Sequence, residues 1–194
     1  MDPPDTIAEA RNLIEILEEN CPIDMNKCIS YVHSPQCGAI ATFAGTTRDT
    51  FDGKTVLELR YEAYVPMAIR CIKSICSSAR STWDIYSIAA AHRLGAVPVG
   101  EISVFIAISA VHRADALDAC KFAIDEVKAT VPIWKKEVYT NGEVWKENSE
   151  FLERRLELGK TQNNQDRAYC SRKVIQQKSF VAVKKNRDTS LALP

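Results

Sequence analysis

The sequence predicts an α+β fold with a largely antiparallel sheet and two main helices. Two segments, 66–80 and 114–129, carry apolar residues three or four apart, and short apolar strand-like segments lie on either side of them. Successive strand-like segments are close enough along the chain to pair as neighbours, which favours an antiparallel sheet. Neither GxGxxG nor GxxxxGKS/T occurs, so a doubly wound nucleotide-binding sheet has no candidate loop.

Taken in order, Ile7, Ala10, Ile14 and Leu17 fall at helical spacing with acids between them, so residues 1–26 are expected to hold an appendage helix over 6–19. Residues 27–33 and 37–45 are short and β-prone, separated by the turn-like Ser34-Pro35-Gln36, and each reads as a strand. A polar loop, 45–53, leads to residues 55–64. There Leu57, Leu59 and Tyr61 alternate with Glu58, Arg60 and Glu62, the pattern of a half-buried strand that could form a hairpin with the strand before it. Pro66 suits the first turn of the helix that runs to Arg80. Segments 86–92 and 101–109 are apolar strands joined by a Gly- and Pro-bearing turn, and the 114–129 helix follows until Pro132 stops it. Ile133–Tyr139 and Glu143–Trp145 flank Asn141-Gly142, a strong hairpin signal. The folded body is expected to span 27–148. Residues 149–158 read as a last helix, and 159–194, rich in Gln, Asn, Lys and Arg, as a loose basic tail.

Bulk properties exclude several function classes. Twenty-five basic and 25 acidic residues balance to zero charge, so no global field marks a nucleic-acid or membrane partner. No apolar run approaches the ~20 residues that span a bilayer, and the start lacks the basic-then-apolar order of a signal peptide, so a cytosolic protein is expected. Seven scattered cysteines with no CxxC pair read as reduced thiols. The one grouping, Cys28, His33 and Cys37, lacks a fourth ligand nearby, so no metal and no cofactor is expected.

The chemistry concentrates in KATVPIWKKE, residues 128–137, which places Lys128, Lys135, Lys136 and Glu137 around a helix stop. Lysines there can anchor an anion or carry a proton, although cations at a helix C-terminus also simply complement its dipole. His112 and Arg113 open the preceding helix, where backbone amides and a guanidinium can hold a phosphate. Arg48 ends a glycine-led polar loop with similar capacity. His92-Arg93 is a weaker candidate that could simply satisfy strand-end carbonyls. The cysteines sit mostly in apolar runs, where a thiol behaves as a small hydrophobe, so none is expected to be a nucleophile.

Read together, GAIATFAGTTR (38–48), YEAY (61–64), HRLG (92–95), AVHR (110–113) and KATVPIWKKE (128–137) resemble, in order and spacing, the large, catalytic subunit family of molybdopterin synthase. The resemblance covers residues 38–148. It implies an α/β hammerhead fold and a homodimer of large subunits within a heterotetramer, with a small ubiquitin-like subunit at each end. It implies that the small subunit brings sulfur as a C-terminal thiocarboxylate to cyclic pyranopterin monophosphate, forming the dithiolene of molybdopterin. Lys128 is then the leading catalytic residue and Lys135 its companion, with Arg48, His112, Arg113, Lys136 and Glu137 around the substrate. Arg113 and Lys128 lie at opposite ends of one expected helix, ~22 Å apart at 1.5 Å per residue, so a site that uses both would draw on two subunits. The alternative is a non-catalytic scaffold that keeps the fold, or an RNA-binding module built on the basic tail.

Overall fold

The computed structural model describes residues 11–140 and 142–146. Among them the chain runs β1 (Asn12–Leu17), α1 (Met25–Val32), β2 (Ala39–Thr46), β3 (Thr50–Phe51), β4 (Lys54–Ala63), α2 (Val65–Thr82), β5 (Ile85–Arg93), β6 (Gly95–Pro98), β7 (Ile102–Ala110), α3 (Arg113–Thr130), β8 (Ile133–Tyr139) and β9 (Gly142–Lys146). This is the α+β class with largely antiparallel sheets, and β1 against β5 is the parallel exception. The two main helices expected are α2 and α3, of 18 residues each, and the 8-residue α1 joins them.

The first sheet has the order β1-β5-β7-β2. Its central strands β5 and β7 are apolar on both sides because both faces are covered. Ile88, Ala90, Val104, Ile106 and Ile108 pack with Ala68, Ile72, Cys76, Ala119, Ala123 and Ile124 of α2 and α3. The alternate residues Ala89, Ala91, Phe105 and Ala107 meet Cys28 and Val32 of α1. Alternation along a strand thus serves two cores at once.

The two N-terminal assignments from sequence exchange places. Residues 12–17, expected as helix, form β1, whose Leu13 packs toward α1 while Ile14 and Ile16 pack toward α2 and α3. Six residues are too few for the 3.6 and 2.0 periods to be told apart, and sheet pairing decides. Residues 27–33, expected as strand, lie largely in α1. Asp24 caps this helix by accepting from the Lys27 amide at 2.9 Å, and Cys28 and Val32, four apart, form its buried face. Arg80 then ties β1 down, its guanidinium donating to the carbonyls of Arg11, Ile85 and Tyr86 and to Asn12 Oδ1.

The second sheet corrects the expected hairpin. β4 does not pair with β2, which pairs with β7. It instead pairs antiparallel with β8 along one edge and with β3 and β6 along the other, and β8 continues to β9. A bulge between Val56 and Glu58 buries Val56 and leaves Leu57 half exposed, which breaks the anticipated Leu57, Leu59, Tyr61 face. The turn expected between β5 and β7 contains β6, so the chain passes from the first sheet into the second and back. Gly95 makes that passage at φ +72°, where an added Cβ would lie 2.5 Å from the Glu19 side chain. The expected helix over 149–158 and the basic tail lie outside the described residues.

Candidate active site

A cavity of about 660 Å³ opens where the C-terminal turn of α3 meets β2, β4 and β8. Each contributing element places its side chain for a local reason. Val131-Pro132 ends α3, leaving Lys128 in the last turn with its side chain at the rim. β8 then runs beside β4 with Lys135 opposite Tyr61 and Glu137 opposite Leu59. The two-residue period sends Lys135 and Glu137 into the cavity, where Leu59 and Tyr61 face them, while Lys136 lies between them on the alternate side of the strand and is absent from the lining.

Glu137 is 3% exposed and fully engaged: Lys135 Nζ lies 3.4 Å from Oε1, and the Tyr139 hydroxyl donates to Oε2. That bond to the carboxylate, with burial, pushes the Tyr139 phenol up to about 12, so it stays a donor at any physiological pH. At the mouth, Arg48 holds its guanidinium 5.5 Å from the centre of the Phe51 ring, and both line the cavity. Gly45, also lining it, sits at a bulge where an added Cβ would fall 2.6 Å from Val104 Cγ1, so the close approach of β2 to β7 needs glycine.

The inner wall comes from three strands. Tyr61 of β4 donates to Ser103 Oγ of β7 at 3.2 Å, and Ser103 donates to the Gly45 carbonyl at 3.3 Å. The Tyr61 ring stands edge-on to His92 of β5, centroids 5.0 Å apart at 76°. His92 is buried, and its Nδ1 lies 2.9 Å from the Arg93 carbonyl oxygen. Burial holds the imidazole down to about 4, so it is neutral near neutral pH.

The structure therefore gathers Arg48, Lys128, Lys135 and Glu137 in one cavity. It does not bring His112 and Arg113 there: they lie exposed at the far end of α3, and Arg113 is fifteen residues and ~22 Å from Lys128. Sequence reasoning missed Tyr61 and Ser103 as site residues and ranked His92 low. The alternation that places Lys135 and Glu137 together also separates Lys136, and that signal was available in the sequence. Cys28, Cys76 and Cys120 lie in the two cores, where burial pushes the thiols of Cys76 and Cys120 up to about 11.

The arrangement suits an anionic substrate: three cations around a space with apolar walls, one of them oriented by a buried carboxylate. Comparison with known proteins agrees with that chemistry. The sequence model of the MoaE protein family matches residues 18–130. The chain is 73% identical over 157 residues to the molybdopterin synthase catalytic subunit of Arabidopsis thaliana, covering 81% of this chain and 79% of that one. It is similar to the molybdopterin synthase crystal structure from Staphylococcus aureus, with a TM-score of 0.65 and 34% identity over 68% of this chain and 95% of that one. The fold also matches a chain in the complex of subunits 1 and 2 of the molybdopterin-converting factor from Helicobacter pylori, with a TM-score of 0.58 and 20% identity over 70% and 91% of the two chains.

Proposed function

The chain belongs to the MoaE family of molybdopterin synthase catalytic subunits, and from that premise we propose how its cavity performs sulfur transfer. The single observation that carries the reading is the convergence of Arg48, Lys128, Lys135 and the buried Glu137 on one cavity. Cyclic pyranopterin monophosphate occupies that space, its phosphate drawn by the cations at the rim. The sulfur donor is the thiocarboxylate at the C-terminus of a small ubiquitin-like subunit, and its negative charge is attracted by the same group. Its sulfur forms a bond to a substrate carbon as that carbon's bond to an oxygen breaks, and the oxygen leaves as water with a proton delivered through Lys128. Water then cleaves the acyl–sulfur bond, the donor leaves as an ordinary carboxylate, and a second donor repeats the step to complete the dithiolene.

Lys128 is the catalytic residue in this reading, placed to stabilise charge and move a proton at the reacting carbon, with Lys135 as its companion. The Glu137 carboxylate orients Lys135 at 3.4 Å. Lys136, on the alternate side of β8, supports the substrate only indirectly. His112 and Arg113 complete the site from a second copy of the chain, because one α3 helix cannot deliver both of its ends to one substrate. The assembly is a homodimer of large subunits flanked by two small subunits, in line with the two-subunit complex of the Helicobacter pylori relative. The reading places the protein in the cytosol, where thiols such as Cys28, Cys76 and Cys120 remain reduced.

The test is molybdopterin formation from purified precursor and thiocarboxylated small subunit. Product from the parent chain and none from Lys128→Ala is expected, whereas equal product from both removes Lys128 from the mechanism. A shared site also predicts complementation. Lys128→Ala and Arg113→Ala, each inactive alone, should recover about a quarter of parental activity after mixing and subunit exchange, since half the dimers are mixed and each has one intact site. No recovery in verified mixed dimers would place both residues in one subunit's site.

A further inference from the structure

Resting on the reading above, we propose that His92 is a substrate-binding residue: its Nε2 lone pair faces the cavity and accepts a hydrogen bond from a ring N–H of the reduced pterin.

The geometry fixes the tautomer. A carbonyl oxygen only accepts, so the 2.9 Å contact between His92 Nδ1 and the Arg93 oxygen requires the proton on Nδ1 and leaves Nε2 as an acceptor. Nδ1 is on the backbone side of the ring and Nε2 at its distal end, so tying Nδ1 to the next carbonyl turns Nε2 away from the strand. His92 lines the cavity, and among the described residues no side chain or backbone group hydrogen-bonds Nε2. The edge-on Tyr61 ring, itself held by Ser103, stops the imidazole from tilting.

Donor and acceptor chemistry then points to the ligand group. Lys128, Lys135 and Arg48 can only donate, which suits phosphate, thiocarboxylate and carbonyl oxygens. Both Glu137 oxygens are already engaged. A reduced pterin also carries N–H groups that need an acceptor once water is excluded, because an unpaired buried donor is costly. Burial keeps the imidazole neutral, so that acceptor persists beside the lysines. His92 thereby reads the heterocycle while the cations read the charged ends.

The experiment uses the intact chain with its small subunit, and cyclic pyranopterin monophosphate as the probe. The protein has three histidines, so 15N-histidine labelling gives a spectrum in which a His92 variant assigns the Nε2 resonance. Substrate is expected to shift that resonance upfield toward hydrogen-bonded values while His92 stays singly protonated. His92→Asn keeps a donor near the Arg93 carbonyl and removes the distal acceptor, so it should weaken substrate binding about tenfold without weakening small-subunit binding. His92→Gln, whose carbonyl reaches nearer the Nε2 position, should recover part of that loss. A parent protein that makes molybdopterin while its Nε2 resonance is unmoved by substrate overturns the assignment and leaves the proposed function standing. A parent that neither binds the precursor nor makes product overturns both.

Discussion

The two sheets divide labour. In the first, β5 and β7 are covered on both faces, and their inward positions are filled by Ile88, Ile106, Ile108 and a set of alanines small enough to let helices approach from either side. In the second, β4 and β8 turn one face to the cavity and place Lys135, Glu137, Leu59 and Tyr61 there, while Leu57 and Trp134 remain half exposed. The first sheet holds most of the core, while the second, with the end of α3, supplies the charged lining of the cavity. Stability and activity should therefore separate when residues of the two are changed.

Lys128→Ala gives the largest separation. Turnover should fall by about 10²–10³-fold or more through lost charge stabilisation, while an exposed helix-end lysine changes stability by only about 0.5 kcal/mol, as chemical denaturation would show. A large fall in stability would mean that the site also props up the fold. Ile106→Ala should do the converse. At 1% exposure in the main core it should lose about 2–5 kcal/mol of unfolding free energy, with KM for the precursor unchanged in the protein that stays folded.

His92 belongs to both regions, and its pH dependence sharpens the boundary. Its imidazole is held at about 4 in the fold against 6.5 when free. The unfolded chain thus takes up a proton first as pH falls, so stability declines from about pH 6.5 to about 4 and levels off below. The full decline is roughly 3 kcal/mol. The difference between parent and His92→Asn unfolding curves across that range isolates it. Identical pH slopes would mean that the imidazole is charged, or solvated, in the fold.

Much of the first region was legible in the sequence. Pro66, the 3.6-residue spacing in α2 and α3, and the uninterrupted apolar runs of β5 and β7 each pointed to the observed element. The N-terminal elements were not, because six residues of β1 fit either period and the Asp24 cap of α1 is recognisable only once a helix is sought after it. Around the cavity, Lys128, Lys135 and Glu137 come from one ten-residue segment and could be seen together. Tyr61, His92 and Ser103 come from three strands, of which β5 and β7 are neighbours in the first sheet while β4 reaches them from the second, a contact that no local pattern announces.

The 18-residue helix α3 carries Arg113 at one end and Lys128 in its last turn. Because each residue advances the helix by about 100°, adding or deleting one inside it would swing Lys128 out of the cavity and shift its buried alanines toward solvent. In the proposed shared site that span is a caliper between two neighbouring sites, so length variation cannot be absorbed between Arg113 and Lys128.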